Sequence, residues 1–326
     1  FTSTVLIIDN VFNKNHTHVL IEQADCNFIT LYGNTFSCEN LLNPFSFNGN
    51  TLEAPFAGSQ TEVSIWGISN QNNLNIGNPS FNVNAFSNCK FGIRLEDTEA
   101  TIKHNTFLDI RKNILLPTSL PLIYFMPYSA IIAVSYLTAK NIIVGGPGLN
   151  ESNSFKDCNV TAIIYDYRKV QFLNNDVSNT QPNPPLGYTG SGTTGISVNH
   201  VNNFNNTLVT IKNYKFSKVN YPINYYFANQ TNINNDNYDI SDNKIDGETN
   251  LKGIRGIFIK GNLINSTISG ANSFTVFNND IKKMQVGIAL YNLSGIQSVV
   301  EENKIDINWG NSLTRIGIDT RFSNSQ

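Results

Sequence analysis

The sequence predicts an all-β solenoid, a parallel β-helix of about ten coils, on three observations. An Asn-x-large-apolar anchor alternates strictly with a small-Ile-x-apolar anchor along nearly the whole chain, about ten times each. The segments between anchors carry period-two alternation, and the i, i+3, i+4 spacing of a helix is nowhere sustained. Asparagine, with about 52 copies among 326 residues, is several times commoner than usual. Asn tolerates left-handed backbone and bonds its own backbone locally, so this composition suits short strands joined by many tight turns.

The first anchor runs as NVF at Asn10, NTF at Asn34, NAF at Asn84, NTF at Asn105, NSF at Asn153 and NDV at Asn175. It continues as NYKF at Asn213, one residue longer, then NKI at Asn243, NDI at Asn279 and NKI at Asn303. The second anchor begins at Gly67, Gly92, Ala130, Ala162, Gly195, Pro222, Gly256, Gly287 and Gly317, with a degenerate first copy at His18. In one unit, residues 92–107, Ile93 and Leu95, then Ile102, then Phe107 could face a single interior. Each unit then reads as one coil, with equivalent residues stacked at roughly 4.8 Å. There is no Leu lattice and no Trp-Asp signature, which argues against leucine-rich repeats and propellers.

A longer period lies above this one. The gap from the first anchor to the second is short after Asn10, Asn84, Asn153, Asn213 and Asn279 and long after Asn34, Asn105, Asn175, Asn243 and Asn303. Five long segments, among them residues 115–130 and 178–194, should therefore leave one corner of alternate coils in a row. The lead-ins from Ile76 and Val144 also match each other, and the Gly-Gly-Pro-Gly at Gly145 reads as a turn supplying positive φ.

The "GIxL…I…NxF" rhythm resembles right-handed parallel β-helix repeat proteins of the pectate-lyase-like superfamily. The GNTF and NCKFGI phrasing is similar to repeats of large exported bacterial surface proteins. The resemblance implies a single-stranded right-handed β-helix, residues 1–326 forming one domain, and a chain that is a piece of a longer exported or cell-surface protein. It says little about activity, because one fold hosts many functions.

Charge is nearly balanced, 22 Lys+Arg against 24 Asp+Glu, which provides no basic footprint for nucleic acid. No apolar run reaches the length of a membrane span. The four cysteines form no CxxC pair, so no zinc ribbon is expected. Cys89 and Cys158 share a slot with Ile110, Val219 and Met284, which predicts inert thiols in a buried apolar column. A bridge between Cys26 and Cys38 stays open. His16 and His18 share a strand face without a third ligand, so neither metal nor cofactor is expected.

Counting outward from the second anchor places Asn70, Glu96, Val134, Asp166, Asn199, Tyr226, Lys260, Tyr291 and Arg321 in one solvent-facing column. Glu96 and Asp166 are the best available carboxylate pair, two coils or roughly 9–10 Å apart, at the upper edge of inverting-glycosidase spacing. The plainer interpretation is solvated surface charge. Tyr124, Phe125 and Tyr128 in one long segment, Tyr188 in another, and Tyr226 and Tyr291 in the outward column could stack on sugar rings. Equally, loop aromatics could pack on outward Ile132 and Ile164. The expectation is a rigid structural or adhesion module contacting polysaccharide or surface glycan, joined to the rest of its own chain. The alternatives are a polysaccharide lyase or glycoside hydrolase, and a tailspike-like fibre.

Overall fold

The computed structural model describes residues 3–13, 15, 17–26, 28–38, 63–110, 129–136, 139–148, 150–179, 193–201, 207–227, 237–247, 254–261, 273–293, 297–307 and 315–321. Its strands form three ten-stranded sheets, and the chain visits the first, second and third sheet in turn before starting again. Coil 4 is typical: β10 (Ala100–Ile102) in the first sheet, β11 (Asn105–Leu108) in the second and β12 (Ser129–Val134) in the third. Each pairs in parallel with the equivalent strand one coil away. The protein is a parallel β-helix of ten coils, with no helix among the described residues.

Inward residues repeat at the same register positions, so the core is a set of stacked columns. Third-sheet strands contribute two each, as Ile93 and Leu95 pair with Ile131 and Ala133. First-sheet strands contribute pairs such as Ile102 beneath Val144, and second-sheet strands contribute one large residue. On coils 1–5 that residue is Phe12, Phe36, Phe86, Phe107 and Phe155, whose rings stack at centroid distances of 5.0, 4.8, 4.6 and 4.8 Å. The small residue of the second anchor leaves room for this column. A Cβ on Gly92 would lie 2.8 Å from the Phe107 ring, and one on Gly195 2.6 Å from Phe216.

The asparagines hold the corner between the first and second sheets. Asn153 Oδ1 accepts from the Asn105 backbone N–H at 3.0 Å and from Asn105 Nδ2 at 2.8 Å. Asn153 Nδ2 in turn donates to Ile102 O at 2.9 Å and to Asn175 Oδ1 at 2.8 Å. Such a ladder satisfies buried backbone groups that a bend would otherwise orphan. Most positive-φ residues sit at the three corners, for example His104 before Asn105, Asn88 after the second sheet and Asp97 after the third. The abundance of Asn and Asp is thus a consequence of corner geometry.

The alternation of compact and long connections is present as expected. Chain leaves the second-to-third corner after residues 38, 110, 179, 247 and 307 and re-enters the third sheet at 63, 129, 194, 255 and 316. Coils 3, 5, 7 and 9 instead turn this corner within a few residues, through positive-φ Asn88, Asp157, Lys218 and Lys283. Gly145 does adopt positive φ.

Three register details differ from the sequence reading. On coil 7 it is Tyr214, not Asn213, that occupies the ladder position, and Asn213 is the positive-φ residue before it. The second-anchor position is held by Ser64 and Thr161 rather than Gly67 and Ala162, since Ile65 and Ala162 are the residues in register with Ile93 and Ile131. Ile164 therefore points into the core and Ile163 outward. Both segments contain a second small-apolar step nearby, and only strand pairing chooses between them.

The cysteine slot is buried, as its Ile, Val and Met occupants require. Cys89, however, is not a free thiol, because it is bonded to Cys38 on the coil below. The Cα atoms lie 4.9 Å apart, close to the spacing of adjacent coils. The extra residue Asn88 hides from the sequence that the two cysteines stack. Cys158 is a buried thiol that donates to the Lys156 carbonyl, and Cys26 is a half-buried thiol.

Candidate functional site

The outer face of the third sheet is the most chemically varied surface described. Its strands, with β6 at Val63–Ile68, β9 at Phe91–Glu96 and β15 at Val160–Tyr165, direct alternate residues away from the core. One outward column runs Trp66, Arg94, Ile132, Ile163, Ser197, Asn224, Phe258, Ala289 and Asp319. The next runs Ile68, Glu96, Val134, Tyr165, Asn199, Tyr226, Lys260, Tyr291 and Arg321. Tyr226, Tyr291 and Glu96 lie where the sequence puts them. Asp166 does not, since Tyr165 takes its place.

Two clusters of the same composition stand on this face. On coils 2 and 3 the Arg94 guanidinium lies 4.5 Å from the Trp66 ring centroid and 2.7 Å from Glu96 Oε1, while Trp66 Nε1–H donates to the same oxygen at 3.1 Å. Tyr136 is exposed beside them, and its hydroxyl pKa is raised by partial burial and then by the Glu96 charge. On coils 8–10 the Arg255 guanidinium lies 4.4 Å from the Phe258 ring and 5.7 Å from Tyr291, with Arg321 5.1 Å from Tyr291. Tyr291 O–H donates to Asp319 at 2.6 Å, and Arg321 pairs with Asp319 at 2.8 Å. These bonds hold the Asp319 carboxyl below its usual range, Arg321 first and Tyr291 next. Tyr226 meets Phe258 edge-on at 5.5 Å.

Alongside the first cluster, the outer face of coils 2–5 carries an apolar patch. Val63, Phe91, Ile132, Val160 and Ile163 form a second buried cluster with Trp66, Val134 and Tyr165 against it. Tyr124, Phe125, Tyr128 and Tyr188, the other expected aromatics, lie outside the described residues, as does His16.

Asp166 is a corner residue. It sits at positive φ one position past β15, and its Oδ1 accepts the Val201 N–H at 2.6 Å. Asp97 does the same two coils below, accepting the Tyr136 N–H at 2.7 Å and the Ser135 hydroxyl at 3.3 Å. The structure thus separates Glu96, on an outward column tied to Arg94, from Asp166, buried as a turn cap. Among the described residues only one group of three or more His, Cys, Asp or Glu side chains converges, namely His18, Cys38 and Cys89.

Two further features were not legible in the sequence. A cleft of about 500 Å³ opens at the first-to-second corner, where Asp9, Tyr32, Phe81, Asn82, His104 and Asn150 arrive from five coils. Phe81 is exposed and stacks on Tyr32 at 4.4 Å. His104 Nδ1–H donates to Asn150 O at 2.8 Å, tying coil 4 to the lead-in that starts at Val144. The second feature is interior. His200 is fully buried, its Nε2–H donating to Tyr167 O at 2.7 Å and its Nδ1 accepting from the Tyr225 hydroxyl. Burial drives the His200 pKa below its usual value, which keeps the imidazole neutral.

Comparison with known proteins adds no relative: no family model matches the chain, and no curated protein and no solved structure is significantly similar to it. The class defined by fold and face is a parallel β-helix repeat protein with an arginine- and aromatic-decorated sheet.

Proposed function

We propose that the chain is a non-catalytic module of an exported or cell-surface protein related to the pectate-lyase-like β-helices, a rigid rod that contacts polysaccharide or surface glycan through its third sheet. The observation that carries this is the paired Arg–aromatic–carboxylate clusters on one flat face, roughly six coils or 29 Å apart by strand spacing. Aromatic faces stack on sugar C–H surfaces, while guanidinium and carboxylate groups bond hydroxyls and acidic substituents. Export is supported by the Cys38–Cys89 disulfide, since such bonds persist in oxidising compartments. Lyase or hydrolase chemistry has less support, because Glu96 is committed to Arg94 and Trp66 and Asp166 to a backbone cap.

The test is binding to a panel of neutral and uronic-acid polysaccharides, with product release followed in the same wells. Tyr291→Ala combined with Arg255→Ala should weaken retention on an acidic glycan about tenfold or more, at unchanged thermal stability of the rod. Retention untouched by both this variant and Arg94→Ala would sink the face assignment. Cleavage abolished by Asp166→Ala would overturn the non-catalytic reading.

A further inference from the structure

His18 occupies an anomalous place. It stands on β3 (Thr17–Glu22) between Thr17, in register with Val63, and Val19, in register with Ile65, so it lies beside Ser64 in the column of small residues. Its ring contacts Phe12 and Phe36 at 6.0 and 5.8 Å in tilted geometry. Both ring nitrogens are sealed from solvent and neither makes a well-formed hydrogen bond, the Ser37 backbone being the polar neighbour of the ring. An imidazole whose nitrogens are shielded from water without well-formed hydrogen bonds forfeits much of what ordinarily offsets its desolvation.

The same nitrogens face sulfur. One ring nitrogen of His18 and the Sγ atoms of Cys38 and Cys89 all lie within 4.8 Å of one another. The Ser64 hydroxyl donates to Cys89 Sγ at 3.1 Å. One imidazole and two thiols, with a hydroxyl placed to stabilise a thiolate, make up a soft-metal donor set.

We propose that the reduced form of this pocket is a zinc site, with His18, Cys38 and Cys89 as its three protein ligands and the disulfide as its metal-free alternative. The chemistry balances with a phosphine as reductant. The phosphine takes the disulfide's oxidising equivalents and becomes its oxide with oxygen from water, leaving two thiols. Zinc then displaces one proton from each thiol and accepts a lone pair from the imidazole. A fourth position remains for water or the Ser64 hydroxyl. Zn–S bonds of about 2.3 Å at a tetrahedral angle put the sulfurs roughly 3.8 Å apart, so metal and disulfide exclude each other. An exported chain meets both conditions, reducing where it is made and oxidising where it resides.

The experiment uses the chain with Cys26→Ser and Cys158→Val, Val being the occupant of the equivalent slot at Val219. Cobalt(II) replaces zinc as a coloured probe, before and after phosphine reduction, and zinc competes it off. The expected result is one equivalent of cobalt with thiolate charge-transfer absorption in the reduced protein and none in the oxidised one. Cys38→Ser should abolish uptake. His18→Phe, which extends the existing ring stack, should weaken it roughly a hundredfold while the oxidised protein keeps its melting temperature. The proposal is overturned if reduced protein takes up no cobalt or if His18→Phe binds as well as the parent. It is equally overturned if the disulfide reduces only when the protein unfolds.

Discussion

Coils 1–5 and coils 6–10 solve the same packing problem differently. In the first half the second-sheet column is an unbroken stack of five phenylalanines, and the corner ladder runs Asn10, Asn34, Asn84, Asn105, Asn153, Asn175 without a gap. In the second half the column is Val177, Phe216, Ile245, Ile281 and Ile305, and Tyr214 interrupts the ladder before it resumes at Asn243. The extra chain also moves. Coils 3 and 5 carry it at the first-to-second corner, around 77–83 and 146–153, whereas coils 6, 7 and 8 carry it at the third-to-first corner. The lesson is that strand register tolerates change of side chain within a column, while corners set where surface variety can appear.

The comparison breaks most visibly at the ring stack. Phe107 is fully buried between Phe86 and Phe155, so Phe107→Ala should cost about 3–5 kcal/mol through lost transfer energy and a cavity the rigid coils cannot close. Ile245→Val in the aliphatic half should cost only about 1 kcal/mol. Denaturant unfolding followed by circular dichroism reads both. A Phe107→Ala loss below that of Ile245→Val would mean the stack is ornamental.

A smaller effect tests the ladder. Asn153→Ala strands the buried Asn105 N–H and takes one of three acceptors from Asn105 Nδ2, which keeps the Ile76 and Lys103 carbonyls, and the loss should cost about 2–3 kcal/mol. Asn303→Ala removes the same partner for Asn279 where the ladder is only half-buried, and about 1 kcal/mol is expected. Equal losses at the two sites would show that burial does not set the ladder's worth.

The coil count, the ladder residues other than Tyr214 and the alternating connections were legible because each repeats a local signature at a fixed place in the coil. The first sheet was hardly visible: its strands, such as Ala100–Ile102 and Leu74–Ile76, carry inward apolar residues but no invariant neighbour to mark them. Register failed where a motif occurs twice within three residues, as in Ser64-Ile65 and Gly67-Ile68. Asp166 left the outward column for that reason alone. The Cys38–Cys89 bond and the corner cleft were hidden because each joins residues brought together by stacking across a variable number of loop residues. Of the candidate face, Tyr226, Tyr291 and Glu96 were foreseen, but not the arginines over the rings, since Arg94 covers Trp66 of the preceding coil and Arg255 covers Phe258 of its own strand, with no common spacing in sequence.

His200 supplies a difference confined to acid. Its folded-state pKa lies below the usual 6.5, burial being the main cause, with the Tyr167 carbonyl and Asp166 opposing it. Below about pH 6.5 the unfolded chain binds a proton that the folded chain refuses, so stability should be flat above that pH and fall as pH drops through it. His200→Gln should flatten this part of the pH–stability curve. An unchanged slope would assign the acid sensitivity elsewhere.

The smallest expected effect concerns the ladder's interruption. The Tyr214 hydroxyl is buried without a well-formed hydrogen bond, the Asn175 side chain being its polar neighbour, while its ring stacks on Phe216 at 5.2 Å and meets Phe172 edge-on at 6.0 Å. If the ring is what earns Tyr214 its place, Tyr214→Phe keeps every favourable contact and removes an unsatisfied polar atom. Stability should then stay within about 0.5 kcal/mol of the parent or rise slightly. A loss above about 1.5 kcal/mol would reveal a partner for the hydroxyl and make the second half's ladder continuous through a tyrosine.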